Sequence, residues 1–213
     1  MHDPYLYYDC AVLKNKLGLK DGDLLDKAEV EFSCNAIHDL LINPIQGNYD
    51  FEHLCKFHAH IFGDVYDWAG QPRSVSIEKQ EAVLGYTSIE YAKPQAIETS
   101  VTAVLQRMNA IRWEILSLDE QAEVLSAGLA DLWKVHPFRD GNTRTTVTFI
   151  CQFAESKGLP FDRELLEQNA AYLRSALVAA TAIFRDGDFR KPAYLVRIIR
   201  DSLERGLVSQ APL

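Results

Sequence analysis

His136-Pro137-Phe138-Arg139-Asp140-Gly141-Asn142-Thr143-Arg144 is a polar stretch set between two apolar segments, and its reading decides the fold. On its N-terminal side, Ser117-Leu118-Asp119-Glu120 has the spacing of a capping box. In that arrangement a serine and a glutamate each satisfy a free N–H at a helix start. Val124, Leu125, Leu129, Leu132 and Trp133 then share one helical face. The helix must stop near Val135, because His136 precedes a proline and a residue in that position avoids the helical region. On the C-terminal side a helix is predicted from Asn142 to about Ser156, ended by Lys157-Gly158. Val147, Phe149, Ile150, Cys151, Phe153 and Ala154 cover most of its circumference, which places it in the middle of a helical bundle.

Further out, Asp23 is predicted to cap a helix over residues 23–43, stopped by Pro44. Leu25, Ala28, Phe32, Ala36 and Leu40 form its apolar stripe, with Asp26, Glu29 and Glu31 on a solvated face. A second helix covers residues 51–62, and residues 63–72 form a connector punctuated by Trp68, Gly70 and Pro72. Ser74-Val75-Ser76-Ile77 alternates polar and apolar, a strand signal, and Val83-Leu84 is a second apolar step closed by Gly85. Residues 74–86 are thus predicted to form a small hairpin, the only β-structure expected. A helix over 89–113 and two or three helices within 163–206 complete an all-α bundle, read as one domain over residues 1–213. Trp68 and Trp113 read as core or hinge residues.

The net charge of −8 speaks against a long nucleic-acid surface. Cys10, Cys34, Cys55 and Cys151 form no CxxC pair, a pattern of reduced thiols in a cytoplasmic protein. No apolar run approaches the roughly 20 residues of a membrane span, and the first residues have no leader-like pattern. His53, Cys55, His58 and His60 invite a metal reading. However, His53 and His60 would lie about 10.5 Å apart along a helix with no ligand midway, so packing is the expected role.

Each residue type in the loop has a chemical use. His136 can serve as a general base near neutral pH. Asp140 is a hard oxygen ligand suited to magnesium that also touches phosphate. Gly141 lets backbone N–H groups turn toward a ligand, and Asn142 can cap the next helix or donate its amide to phosphate. The first turn of that helix is an anion site, and Arg144 adds a cation with paired donors. Phe138 is expected to turn inward as an anchor. On residue types alone a second reading stands beside catalysis: a polar connection between buried helices that needs no chemical purpose.

The stretch resembles the Fic motif, H-x-F-x-[D/E]-G-N-G-R-x-x-R, and its first seven positions match in full. A chance match to those positions is on the order of 10⁻⁴ from average residue frequencies. Asp64-Val65-Tyr66-Asp67-Trp68-Ala69-Gly70 looks like the segment before that family's flap, and residues 74–86 sit where the flap belongs. The likeness covers roughly residues 20–200. It implies a Fic-type helical bundle with a β-hairpin flap, and an enzyme that moves AMP from ATP onto a hydroxyl of a target protein. By position, His136 would be the base, Asp140 would hold Mg2+, and Gly141, Asn142 and Thr143 would form the anion hole. Arg144 would bind the distal phosphates. The flap, with Lys79, Val83 and Leu84 as contacts, would register the target by strand addition.

Two positions depart from the motif. Thr143 stands where it has its second glycine, and Val147 where it has its final arginine. Both concern the part of ATP that decides which phosphate reacts. Doc-like phosphate transfer, removal of AMP from a modified target, and a non-catalytic binding role therefore stay open. The family's inhibitory motif, [S/T]-x-x-x-E-[G/N], has one partial match, Ser74 to Glu78 followed by Lys79, and it falls in the predicted hairpin. A separate antitoxin-like inhibitor, one beyond a trimmed terminus, or none at all are the remaining expectations.

Overall fold

A computed structural model of the chain describes residues 3–184 and 187–210. Eight α-helices lie among the described residues: α1 (Gly22–Ile42), α2 (Phe51–Phe62), α3 (Ile97–Asn109), α4 (Leu118–Val135), α5 (Asn142–Ser156), α6 (Arg163–Gln168), α7 (Ala170–Thr181) and α8 (Ala193–Gln210). The all-α class, the hairpin flap and the helices flanking the polar stretch agree with the sequence. None of the described helices is long and apolar enough to cross a membrane.

The predicted capping box is present in both halves at Ser117 and Glu120. It starts α4, which packs against α3, α5, α7 and α8. Leu125, Leu129, Leu132 and Trp133 of α4 are fully buried, as are Phe149 and Phe153 of α5. All eight helices contribute to this one apolar cluster. α5 is enclosed on most sides, so its N-terminal end, and the loop leading into it, rest on packed side chains rather than on solvent. This rigid seat positions the site.

Several expectations are corrected. Asp21 rather than Asp23 caps α1, its side chain accepting from Leu24 N–H at 3.0 Å. The buried face of α1 is Leu25, Glu29, Ser33 and Leu40, whereas Phe32 is exposed. Glu29 is therefore not on a solvated face: polar partners from α5 and the connector meet it there. The helix expected over 89–113 begins only at Ile97, because Pro94 opens a 3₁₀ turn over Pro94–Ala96. The hairpin is shorter and later than predicted, β1 (Gln80–Glu81) pairing antiparallel with β2 (Thr87–Ser88). Ser74 to Ile77 form no strand, since the returning chain starts pairing only at Thr87. A second antiparallel pair, β3 (Ile183–Phe184) with β4 (Gly187–Asp188), stands where no β-structure was expected.

Candidate active site

The loop between α4 and α5 is held in shape by its own members. Asn142 is buried, and its side chain accepts from Phe138 N–H at 2.8 Å and donates to Phe138 C=O at 2.8 Å. Its amide thus staples the loop rather than facing a ligand, and it is the first residue of α5, not the cap. Gly141 is the N-cap, with φ +75° and no side-chain cap bond. A Cβ there would overlap the Phe62 ring, so both conformation and space require glycine. Phe138 is fully buried as expected and stacks on His58 with ring centroids 3.9 Å apart.

His58, expected only to pack, also supports the loop through hydrogen bonds. Its Nε2–H donates to Asp140 C=O at 3.0 Å, and its Nδ1 accepts from Gly70 N–H at 2.8 Å. Burial pushes its pKa down to about 4, so the ring stays neutral and keeps one donor and one acceptor. His53 is likewise saturated by backbone groups of Tyr49 and Ile45.

His136 adopts a left-handed conformation, φ 52° and ψ 62°, at the end of α4. Such a backbone is uncommon for a non-glycine residue and needs surrounding support. Tyr91 stacks on the ring at 4.1 Å, and Trp133 meets it edge-on at 5.3 Å. Nδ1 lies 3.2 Å from Trp133 C=O, which can only accept, so Nδ1 carries the proton. Nε2 is then a bare lone pair, buried and without a hydrogen-bond partner among the described residues. Burial drives this histidine's pKa well below its ordinary value, and the charge of Lys79 adds to the effect.

Arg73 is the other support that sequence reasoning missed. Its side chain is buried, with Nε donating to His136 C=O at 2.8 Å and NH1 to Val75 C=O at 2.7 Å. The second terminal nitrogen donates to Ala92 C=O and, at 3.5 Å, to Val135 C=O. One guanidinium thereby pins both ends of the hairpin segment to the end of α4 and its loop. Only its flanking proline and connector position hint at this in the sequence.

These elements enclose a cavity of about 280 Å³ lined by His136, Asp140 to Arg144, Lys79 from the hairpin segment and Arg174 from α7. Asp140 Oδ1 accepts from Gly141 N–H at 2.7 Å and from Lys79 Nζ at 3.1 Å. Burial pushes its carboxyl upward, yet Lys79, the Gly141 N–H and Arg144 together hold it below the usual value. Arg144 donates to Ser33 Oγ at 2.7 Å and to Glu29, with its guanidinium 4.7 Å from the Phe62 ring centroid. Glu29 in turn accepts from Tyr66 OH. Val147 lines an adjoining, largely apolar cavity of about 150 Å³ with Ile37, Leu41, Cys151, Leu166 and Leu173, which Thr143 and Arg144 also border. Of the flap candidates, Lys79 reaches the site, Leu84 packs against the core, and Val83 is exposed. A base with a free lone pair, an ionised carboxylate, the open N-terminus of a 15-residue helix and several cations thus meet in one cavity.

Residues 48–154 match the Fic/DOC family. The chain belongs to that family. It is 35% identical over 168 residues to protein adenylyltransferase VbhT of Bartonella schoenbuchensis, an alignment covering 78% of this chain and 34% of VbhT. The chain thus spans about a third of that relative's length. It is 30% identical over 171 residues to the probable protein adenylyltransferase y4lH of Sinorhizobium fredii, covering 78% and 83% of the two chains. Among solved structures, BepC of Bartonella tribocorum with bound AMPPNP superposes with a TM-score of 0.76 at 21% identity, over 93% of this chain and 95% of that one. The Fic domain of a cell filamentation protein from Bartonella quintana with bound ADP gives 0.74 at 22%, over 93% of each. These two likenesses bear on the fold. The Fic/DOC stretch ends before α7, so Arg174 lies outside it.

Proposed function

We propose that the chain is a protein adenylyltransferase that moves AMP from ATP to a hydroxyl side chain of a target protein. The observation that carries this reading is the bare, buried Nε2 of His136, a residue that lines a cavity with Lys79, Arg144, Arg174 and the start of α5. Nε2 takes the proton of the target hydroxyl, and that oxygen bonds to the α-phosphorus. The bond from the α-phosphorus to the oxygen bridging to the β-phosphate breaks, and pyrophosphate leaves. The proton on His136 then passes to solvent.

Asn142 and Thr143 contribute backbone N–H groups at the start of α5, where the helix dipole favours phosphate, while the Gly141 N–H is taken by Asp140 Oδ1. Arg144 supplies positive charge at the same end. Asp140 is suited to magnesium, which takes one or two carboxylates and completes its shell with phosphate and water. The fit requires Lys79 to leave Asp140 Oδ1. Magnesium, when bound, would offset phosphate charge. The edge of the β1–β2 hairpin is the place for the target backbone, with Val83 and Leu84 as side-chain contacts. Names of relatives such as VbhT and y4lH support the reaction class.

Transfer of the γ-phosphate is a second reading, favoured by Val147, which brings no cation to the far end of the nucleotide. Incubation with magnesium, candidate targets and ATP labelled at α or at γ decides between them. Label from α that His136→Ala abolishes is the expected result. Label from γ alone overturns adenylyl transfer.

A further inference from the structure

Resting on the nucleotide-handling reading above, we propose that Arg174 of α7 is a phosphate-binding residue of this cavity, held in position by Thr143 and Glu81. The cavity needs such a group. Arg144 is paired with the buried Glu29, as Arg174 is with the buried Glu81, so neither arginine alone brings a fully unmatched charge to the phosphates. Val147 lines the adjoining, largely apolar cavity.

Arg174 reaches the site from the opposite wall. NH1 donates to Thr143 Oγ1 at 3.2 Å, NH2 donates to Glu81 Oε1 at 2.7 Å, and the guanidinium lies 5.1 Å from the Trp133 ring centroid. A guanidinium has five N–H donors, and these two bonds use one from each terminal nitrogen. The rest have no partner among the described residues. The planar fork is thus fixed in orientation while keeping donors for phosphate oxygens. Its charge also contributes to holding His136 neutral, in keeping with a location beside the base.

This placement accounts for the threonine that replaces a glycine in the motif. Thr143 Oγ1 accepts from Trp133 Nε1 at 2.9 Å as well as from Arg174. A hydroxyl has two acceptor positions and one donor, so its own proton is left to donate. Glycine would provide no post for the guanidinium. Glu81, buried on β1 and also accepting from Tyr91 OH at 3.3 Å, ties the arginine to the hairpin. Thr143, Arg174 and Glu81 form one chain from the motif helix to the flap.

The test is calorimetric titration of the full chain with ATP, inorganic tripolyphosphate and adenosine. Arg174→Ala is expected to weaken ATP and tripolyphosphate by roughly ten- to a hundredfold, the range for losing charge-assisted hydrogen bonds, and to leave adenosine within about threefold. Arg174→Lys is expected to recover only part of the loss, and Thr143→Val to show a smaller loss of the same kind. Because Arg174→Ala strands Glu81, the double variant Glu81→Gln/Arg174→Ala is measured too, with thermal melts of each. The proposal predicts that the double variant binds tripolyphosphate as weakly as Arg174→Ala. Recovery in the double variant, unchanged affinity in Arg174→Ala, or no tripolyphosphate binding by the unmodified chain each overturns it. Arg174-dependent binding without α-label transfer would instead overturn adenylyl transfer and leave this assignment standing.

Discussion

Lys79 Nζ stands 3.1 Å from Asp140 Oδ1, so a hairpin lysine occupies the carboxylate that a divalent ion would need. The two cations compete for one ionised oxygen. Lys79→Met is therefore expected to bind Mn2+ more tightly than the unmodified chain in the absence of nucleotide, by roughly fivefold or more given the strength of a nearby like charge. Asp140→Asn is expected to lose the site. Titration followed by electron paramagnetic resonance reads both. Equal Mn2+ affinity in Lys79→Met and the unmodified chain would show that no such competition exists.

Stability is expected to fall as the medium is acidified through the window from pH 6.5 to about 4. His58 is buried with its pKa pushed down to about 4, while the unfolded chain takes up a proton near 6.5. Within that window the unfolded state binds more protons, so stability rises with pH and is lost as pH falls. The shift of His58 alone corresponds to about 3 kcal/mol. His53 and His136 are depressed in the same direction, burial being the chief cause in each. Urea unfolding at pH 7 and pH 5 measures the slope. In His58→Phe the slope should be shallower, and an unchanged slope would remove His58 from the account.

Arg73→Met is expected to destabilise the fold by about 3 kcal/mol, since it leaves buried carbonyls of Val75, Ala92, Val135 and His136 without their donor. Arg73→Lys should not restore it, because an ammonium cannot span both the hairpin ends and the loop. Hydrogen exchange should quicken first over residues 75–92. A melt unchanged in Arg73→Met would mean that these carbonyls find other partners.

The α4–loop–α5 unit was legible because each signal there was local. A capping box, a residue before proline and a glycine past the helix end all act within four residues. Glu29 was misread for the opposite reason. An isolated acidic residue on a helix reads as solvated, and only the fold brings Tyr66 and Arg144 to it. Arg73 and Arg174 share that invisibility, and so do the loop contacts of His58, whose histidine-rich neighbourhood suggests packing but not these bonds. Their partners lie 31 or more positions away in their contacts with the loop. The hairpin was placed in the right region but with the wrong strands, since pairing depends on where the return strand begins.

Gly141→Ala is expected to disable the site by two routes at once. The residue holds φ +75°, and the added Cβ would overlap Phe62. Left-handed geometry alone costs an alanine roughly 1–2 kcal/mol. Phe62→Leu in the same chain relieves the overlap but not the backbone strain. Thermal melts should therefore show partial recovery in the double variant. Full recovery would mean that the ring contact is the whole effect.

The acid limb of kcat/KM offers the sharpest reading of His136. The base acts only when neutral, so activity falls as pH drops through its pKa. Burial, then the charge of Lys79, hold that pKa well below 6.5, so the limb should lie below 6.5. Asp140 stays ionised well under that range and adds no limb near neutrality. Removing Lys79 takes away a positive charge that disfavours protonated His136, so Lys79→Met should move the limb to higher pH. A limb above 6.5 in the unmodified chain, or one that moves downward in Lys79→Met, would mean that His136 is not the titrating base.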